Sequence, residues 1–215
     1  MTPILRVKPY TKASVEHLLI IQNTLRAMDA AQLQGDIVQC GVWKGGQIIL
    51  ARLVSPHRRC WLFDTFTGMT EPQVMDVKPD GWSAIERWKI KKARGENWDE
   101  VGIKEVKKNL IRENVYSPDH FEFVIGDVCE TLKQTDLLPP RIAFLHLDTD
   151  WYASTKMELE ILYPRLVSGG TLIIDDYGHW LGARLATDEY FKNREPDYLD
   201  RMIAIDYTAI KLIKI

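Results

Sequence analysis

The sequence has little of what marks a secreted, membrane-spanning or nucleic-acid-binding chain. Only three cysteines, Cys40, Cys60 and Cys129, occur in 215 residues. Odd in number and widely spaced, they suit neither a disulfide framework nor a zinc cluster, so a reducing cytoplasm is the expected compartment. No apolar run approaches the roughly 20 residues of a membrane helix. Met1–Tyr10 holds Arg6, Lys8 and two prolines but no apolar stretch, so it does not read as a secretion signal. A net charge of -2 provides no one-signed field for nucleic acid or a membrane surface. Two phosphate-binding signatures are missing as well. There is no GxxxxGK(S/T) loop, and Trp43 stands where GxGxxG needs its middle glycine, which obstructs a close pyrophosphate approach.

What is present is ordinary globular material, 46% apolar and 27% charged, enough for one domain over 1–215 with a real core. Residues 1–34 read as an N-terminal helical segment, since Val15, Leu18, Leu19, Leu25 and Met28 fall on one face of a helix over Ser14–Gln34 and Gly35 stops it. Strands are predicted at Asp36–Cys40, Arg59–Asp64, Phe121–Gly126, Arg141–Asp148 and Thr171–Asp175, with helices at Gly45–Val54, Val128–Lys133 and Tyr152–Leu166. Continuous apolar strands alternating with helices predict a doubly wound α/β fold, a mostly parallel sheet with helices on both faces. Met202–Asp206 and Thr208–Ile215 are too close together for a crossover helix and must pair as an antiparallel hairpin. The stretch 65–116 is long for a connection. It carries Trp82, Trp88, Trp98 and the basic run Arg87–Arg94, and it reads as a helical insertion that either closes as a lid or packs as a small subdomain.

Four groups of residues carry candidate chemistry. Gln39 to Gly46, with Gly41, Val42 and Gly45, ends the first strand and opens a helix, where backbone approaches a ligand closely and N–H groups are free; a plain tight turn is the alternative. Asp64, followed by Thr65, lies about 20 residues beyond that turn, where a carboxylate accepts hydrogen bonds from ribose hydroxyls, or serves only as a loop aspartate. Asp127 and Val128 follow the next strand and either meet an adenine ring or cap a helix. The most informative set is the pair of apolar strands ending in LHLDTD (Asp148, Asp150) and LIIDDY (Asp175, Asp176). Parallel strands bring both pairs to one sheet edge. Carboxylates crowded there share protons or gather a cation, and oxygen-only ligands favour Mg²⁺ or Mn²⁺ over zinc. His179 is placed to act as a base, a ligand or a surface residue.

The stretches GDIVQCGVWKGG (35–46), FDTFTGM (63–69), LDTDWYASTKMELEILYPRLVSGGTLIIDDYG (147–178) and GARLATDEYF (182–191) together resemble the macrocin O-methyltransferase family of sugar-hydroxyl methyltransferases in antibiotic biosynthesis. The resemblance implies a Rossmann-like class I methyltransferase fold with a seven-stranded sheet whose last strand is antiparallel. It implies S-adenosylmethionine bound along Gly41, Asp64 and Asp127, Mg²⁺ held by Asp148, Asp175 and Asp176, and Asp150 as general base. Gln39 stands where the family usually carries an acid, which implies a rearranged cofactor contact. The acceptor implied is a small molecule, a sugar or polyhydroxylated metabolite. A catechol-type enzyme acting on an aromatic diol and a non-catalytic ligand-binding relative are the alternatives. A homo-oligomer is open, because the first helix suits either its own sheet or a second subunit.

Overall fold

Strands run over Asp36–Cys40 (β1), Cys60–Asp64 (β2), Phe121–Ile125 (β3), Ile142–Leu147 (β4), Leu166–Ile174 (β5), Ile203–Ala204 (β6) and Ile210–Ile213 (β7) in the computed structural model. It describes residues 2–215; Met1, part of the stretch read above for a secretion signal, lies outside the described residues. The seven form one sheet in the order β3-β2-β1-β4-β5-β7-β6. Strands β1 to β5 are mutually parallel, and β7 runs antiparallel to both β5 and β6. The C-terminal hairpin therefore forms with shorter arms than the sequence predicts, and its second arm inserts between the first and the rest of the sheet. Asp206 shapes the connecting loop by accepting the N–H groups of Thr208 and Ala209, both at 3.0 Å, while its other oxygen accepts the Ser14 hydroxyl at 2.7 Å.

Successive strand residues enter opposite layers, as the period of two requires. Ile37 and Leu62 pack in one layer, Val38 and Phe63 in the other. The first layer is covered by helices Pro3–Val7 (α1), Val15–Ala30 (α2) and Gly46–Val54 (α3). Ser14 caps α2 by accepting the His17 N–H. Its buried face is His17, Leu18, Ile21, Leu25 and Met28, whereas Val15 and Leu19, placed inward by the apolar spacing, are 46% and 40% exposed. The inner face is rotated toward His17 and Ile21, and α2 covers its own sheet.

The segment after β2 divides in two. Helix Ala84–Ala93 (α4) buries only Ala84, but Ile103–Arg112 (α5) buries Val106 and Leu110 in the first layer and is an ordinary crossover helix. The insertion proper is thus residues 65–102. Its base is pinned: the Trp151 indole donates to the Thr70 carbonyl at 3.1 Å, the Tyr152 N–H to Asp76 Oδ1 at 2.8 Å, and the Leu181 N–H to the Val77 carbonyl at 2.9 Å. The second layer holds the short Val128–Thr131 (α6), then Tyr152–Ile161 (α7) and Leu181–Phe191 (α8); Tyr198–Arg201 (α9) leads to β6. Helix α7 stops short of the predicted Leu166 because Pro164 cannot continue it, and Leu166 already starts β5. No helix among the described residues is long and apolar enough to cross a membrane.

Candidate active site

The carboxyl ends of β1, β2, β4 and β5 open into one cleft of about 690 Å³. Ligands of open α/β sheets bind at that edge because loops and helix N-termini converge there. Gly41, Val42, Asp64, Thr65, Asp127, Val128, Asp148, Asp150, Asp175, Asp176 and His179 all border this cleft. Gln39 and Gly45 do not. Gln39 is 1% exposed, and its amide donates at 2.9 Å to both the Gly41 carbonyl and Gln47 Oε1. It supports the turn from behind, and Gln47 is the residue that reaches the cleft. Gly45 instead takes φ +85° as the N-cap of α3, a left-handed conformation that favours glycine.

Asp64 is engaged with backbone. Oδ2 accepts the N–H groups of Val42 (2.6 Å) and Trp43 (3.3 Å), and Oδ1 accepts that of Phe66 (2.7 Å). The carboxylate braces the glycine turn, and the residue borders the cleft with acceptor capacity beyond these three bonds. Asp127 realises the capping alternative, with Oδ1 accepting the Cys129 N–H at 2.8 Å at the start of α6. The two readings of Asp127 do not exclude each other, because the residue also borders the cleft.

The acidic edge is the centre of the site. One carboxylate oxygen each from Asp148, Asp150 and Asp176 lie within 4.8 Å of one another. Asp150 takes φ +70° and donates its N–H to Asp176 Oδ2 at 3.1 Å. Its Oδ1 accepts the Trp180 indole N–H at 2.7 Å. Burial and the neighbouring carboxylates push the Asp148 and Asp176 carboxyls well above the ordinary carboxylate range, and burial takes Asp150 up to about 7. Asp175 is turned the other way. Its Oδ1 is 3.0 Å from His17 Nδ1 and 3.7 Å from His146 Nε2. Burial would raise its carboxyl, but the adjoining imidazoles of His146 and His17 outweigh that and hold it low. Burial lowers His146 and His179 from the ordinary histidine value, and Lys78 adds to the effect on His179.

Four carboxylates in so little space repel one another, and three of them are raised for that reason or by burial. An oxygen donor set of this kind fits a hard divalent cation, which removes the repulsion. The far wall is aromatic. Trp82, Trp98 and Trp180 line it, with Trp151 packed behind Trp98 and Trp180, and the neighbouring ring centres lie 5.1–6.4 Å apart.

Sequence reasoning missed several contributors. His17 sits on the apolar face of α2 and His146 within an all-buried strand. A polar ring inside a run such as FLHL is the signal that could have found His146. Glu158, fully buried on α7, accepts the Thr149 hydroxyl at 2.9 Å from beneath the Asp148–Asp150 loop. Trp151 and Trp180 are each 2% exposed; Trp180 borders the cleft, and Trp151 backs it by packing.

A parallel sheet ending in an inserted antiparallel strand, with a glycine turn after β1, an aspartate ending β2 and carboxylates after β4 and β5, defines a class I methyltransferase of the S-adenosylmethionine-dependent kind. The chain belongs to the macrocin-O-methyltransferase (TylF) family, which it matches over residues 8–214. It is 29% identical over 206 residues to demethyldecarbamoylnovobiocin O-methyltransferase of Streptomyces niveus, covering 94% of this chain and 74% of that one. It is 32% identical over 173 residues to 8-demethyl-8-(2,3-dimethoxy-alpha-L-rhamnosyl)-tetracenomycin-C 4'-O-methyltransferase of Streptomyces olivaceus, covering 78% of this chain and 62% of that one. The solved structure of the O-methyltransferase NovP superimposes with a TM-score of 0.79 at 28% identity, covering 95% of this chain and 82% of that one. The chain thus spans about three quarters of the first relative and under two thirds of the second.

Proposed function

We propose that this chain transfers the methyl group of S-adenosylmethionine to a hydroxyl of a sugar or sugar-bearing small molecule, with a divalent cation held at the acidic edge. The observation that carries this is the convergence of Asp148, Asp150 and Asp176, with Asp175 beside them, in the cleft that Gly41, Asp64 and Asp127 also border. The sugar acceptor is supported by the relatives, one of whose names specifies a rhamnosyl-bearing compound. Unpaired Cys40, Cys60 and Cys129 fit a cytoplasmic setting.

Methyl transfer from a sulfonium is an in-line displacement: the acceptor oxygen forms the new C–O bond as the C–S bond breaks, and S-adenosylhomocysteine leaves. Holding the two reactants in line is worth roughly 7–11 kcal/mol in favourable cases. Asp148, Asp175 and Asp176 would hold a divalent cation, which would supply positive charge that orients the acceptor and eases loss of its hydroxyl proton. Asp150 takes that proton. The Trp180 N–H fixes its orientation. The tryptophan wall keeps water from the reacting oxygen.

The tight Asp148–Asp150–Asp176 grouping favours a second assignment, in which Asp150 joins the ligands and His179, neutral by burial, is the base. Calorimetric titration with S-adenosylhomocysteine in Mg²⁺ buffer tests the reading as a whole. One-to-one saturable binding is expected; no heat at several temperatures from folded protein would sink it.

A further inference from the structure

The cationic side chains of the tryptophan-rich insertion have no part in the chemistry above, yet its inner face borders the cleft. Lys78, Trp82 and Arg87 all line it, beside His179 and Trp180. The Lys78 ammonium lies 4.9 Å from the centre of the Trp82 ring and 5.6 Å from that of Trp180. The Arg87 guanidinium lies 5.7 Å from Trp82 and 5.1 Å from Trp98. Both cations are thus held over the indole wall, one on each arm of the insertion's turn into α4.

The backbone sets this up. The Lys78 N–H donates to the Trp82 carbonyl and the Gly81 N–H to the Lys78 carbonyl, each at 2.9 Å, with Gly81 at φ +87°. The closed turn is tied to the body through Val77 and Leu181. Asp80, the acid inside the turn, spends Oδ1 on the Trp82 N–H at 3.0 Å. Other nearby cations are matched: Lys12 pairs with Asp99 at 2.7 Å, and Lys91, on α4 with Arg87, pairs with Glu96 at 3.2 Å. Among the described residues neither the Lys78 ammonium nor the Arg87 guanidinium has an ion-pair or hydrogen-bond partner, only aromatic faces. Two unmatched cations at the mouth of a cleft whose floor is acidic have a specific use. The floor repels an anion unless a cation neutralises it, and the mouth attracts one.

We propose that the methyl acceptor carries an anionic group, phosphate or carboxylate, beside its hydroxyl-bearing ring, and that Lys78 and Arg87 bind that group while the ring rests against the tryptophans that line the cleft. This rests on the cleft being a hydroxyl-methylation site, and it adds a substrate class to that reading. Indole faces suit a sugar or aromatic ring, and a guanidinium offers a fork of donors that matches phosphate and carboxylate geometry. A salt-dependent affinity follows, because the cations are partly solvated.

The test uses whole protein loaded with S-adenosylhomocysteine and Mg²⁺, with that loading measured first on the same sample. Four hexose derivatives are then titrated calorimetrically: a neutral methyl hexoside, a hexuronate, a hexose 1-phosphate and a nucleoside-diphosphate hexose. At least one anionic member is expected to bind at least about tenfold tighter than the neutral hexoside, the advantage shrinking as salt rises. Lys78→Met/Arg87→Met should erase the advantage without changing S-adenosylhomocysteine affinity, and Lys78→Arg should retain most of it. Preference for the phosphates or for the uronate identifies the anion. Equal affinities, no binding by any anionic member, or an advantage that survives in the double variant overturns the proposal. Failure of S-adenosylhomocysteine to bind overturns the methyltransferase reading instead.

Discussion

Gly41 packs directly on the backbone of Asp148: a Cβ at position 41 would overlap the Asp148 carbonyl oxygen. The Asp148 N–H in turn donates to the Cys40 carbonyl at 2.9 Å. The glycine turn and the acidic strand end are therefore one rigid unit, which fixes the spacing between the sulfonium side of the cleft and the cation side. Gly41 also takes φ +78°, so any side chain there is strained twice over. Gly41→Ala is expected to cost at least about 1–3 kcal/mol and to weaken S-adenosylhomocysteine and metal binding together. Thermal unfolding alongside two titrations checks this, and loss of one ligand alone would show that the halves are independent.

Chelation is expected to abolish transfer while the fold persists, with activity restored by Mg²⁺ or Mn²⁺. Circular dichroism in excess EDTA, followed by an assay before and after metal is returned, measures both. Undiminished turnover in metal-free buffer would remove the cation from the reaction.

Asp150→Asn and His179→Gln separate the two assignments at the acidic edge. If Asp150 is the base, its variant loses turnover by roughly 10²–10⁴-fold but binds Mn²⁺ as tightly as the parent. If it is a ligand, Mn²⁺ affinity falls, and His179→Gln suffers the large turnover loss instead.

Among the described residues the indole N–H of Trp180 makes the one side-chain hydrogen bond to the Asp150 carboxylate. Trp180→Phe keeps most of the buried ring but removes that donor. A fall of roughly 10- to 100-fold in kcat is expected, with little change in S-adenosylhomocysteine affinity. An unchanged kcat would mean that packing alone orients Asp150.

Glu158 makes stability depend on pH. Burial raises its carboxyl from 4.5 to about 8, outweighing the Thr149 hydrogen bond that favours the charged form. The folded chain keeps a proton that the unfolded chain releases over that window. Its contribution is full below pH 4.5 and fades as pH rises toward 8, by up to about 1.4 kcal/mol per unit. Glu158→Gln should flatten this slope in denaturant titrations from pH 5 to 8; a variant as steep as the parent would place the proton elsewhere.

The order of elements is legible from short-range patterns. Apolar runs such as TLII mark buried strands, and the near absence of residues between the last two runs forces a hairpin. The stop that Pro164 imposes on α7 is equally local, yet a helix end placed at Leu166 passes over it. The aspartates at the ends of β4 and β5 are legible too, because parallel strands bring their carboxyl ends to one edge. The orientations are not. Asp148, Asp150 and Asp176 gather their oxygens, Asp175 turns to His17 from a helix more than 150 residues earlier, and Gln39 faces Gln47 rather than the cleft.

By itself the sequence determined the layered α/β architecture, the acidic edge and the glycine turn, because burial period and strand ends are local properties of the chain. Tertiary structure alone decided which carboxylate meets which partner, that the scattered tryptophans cluster beside the cleft, and that Lys78 and Arg87 stand over them with no counter-ion among the described residues. Those contacts join residues far apart in the chain, and periodicity reports that a side chain is buried without reporting what it is buried against.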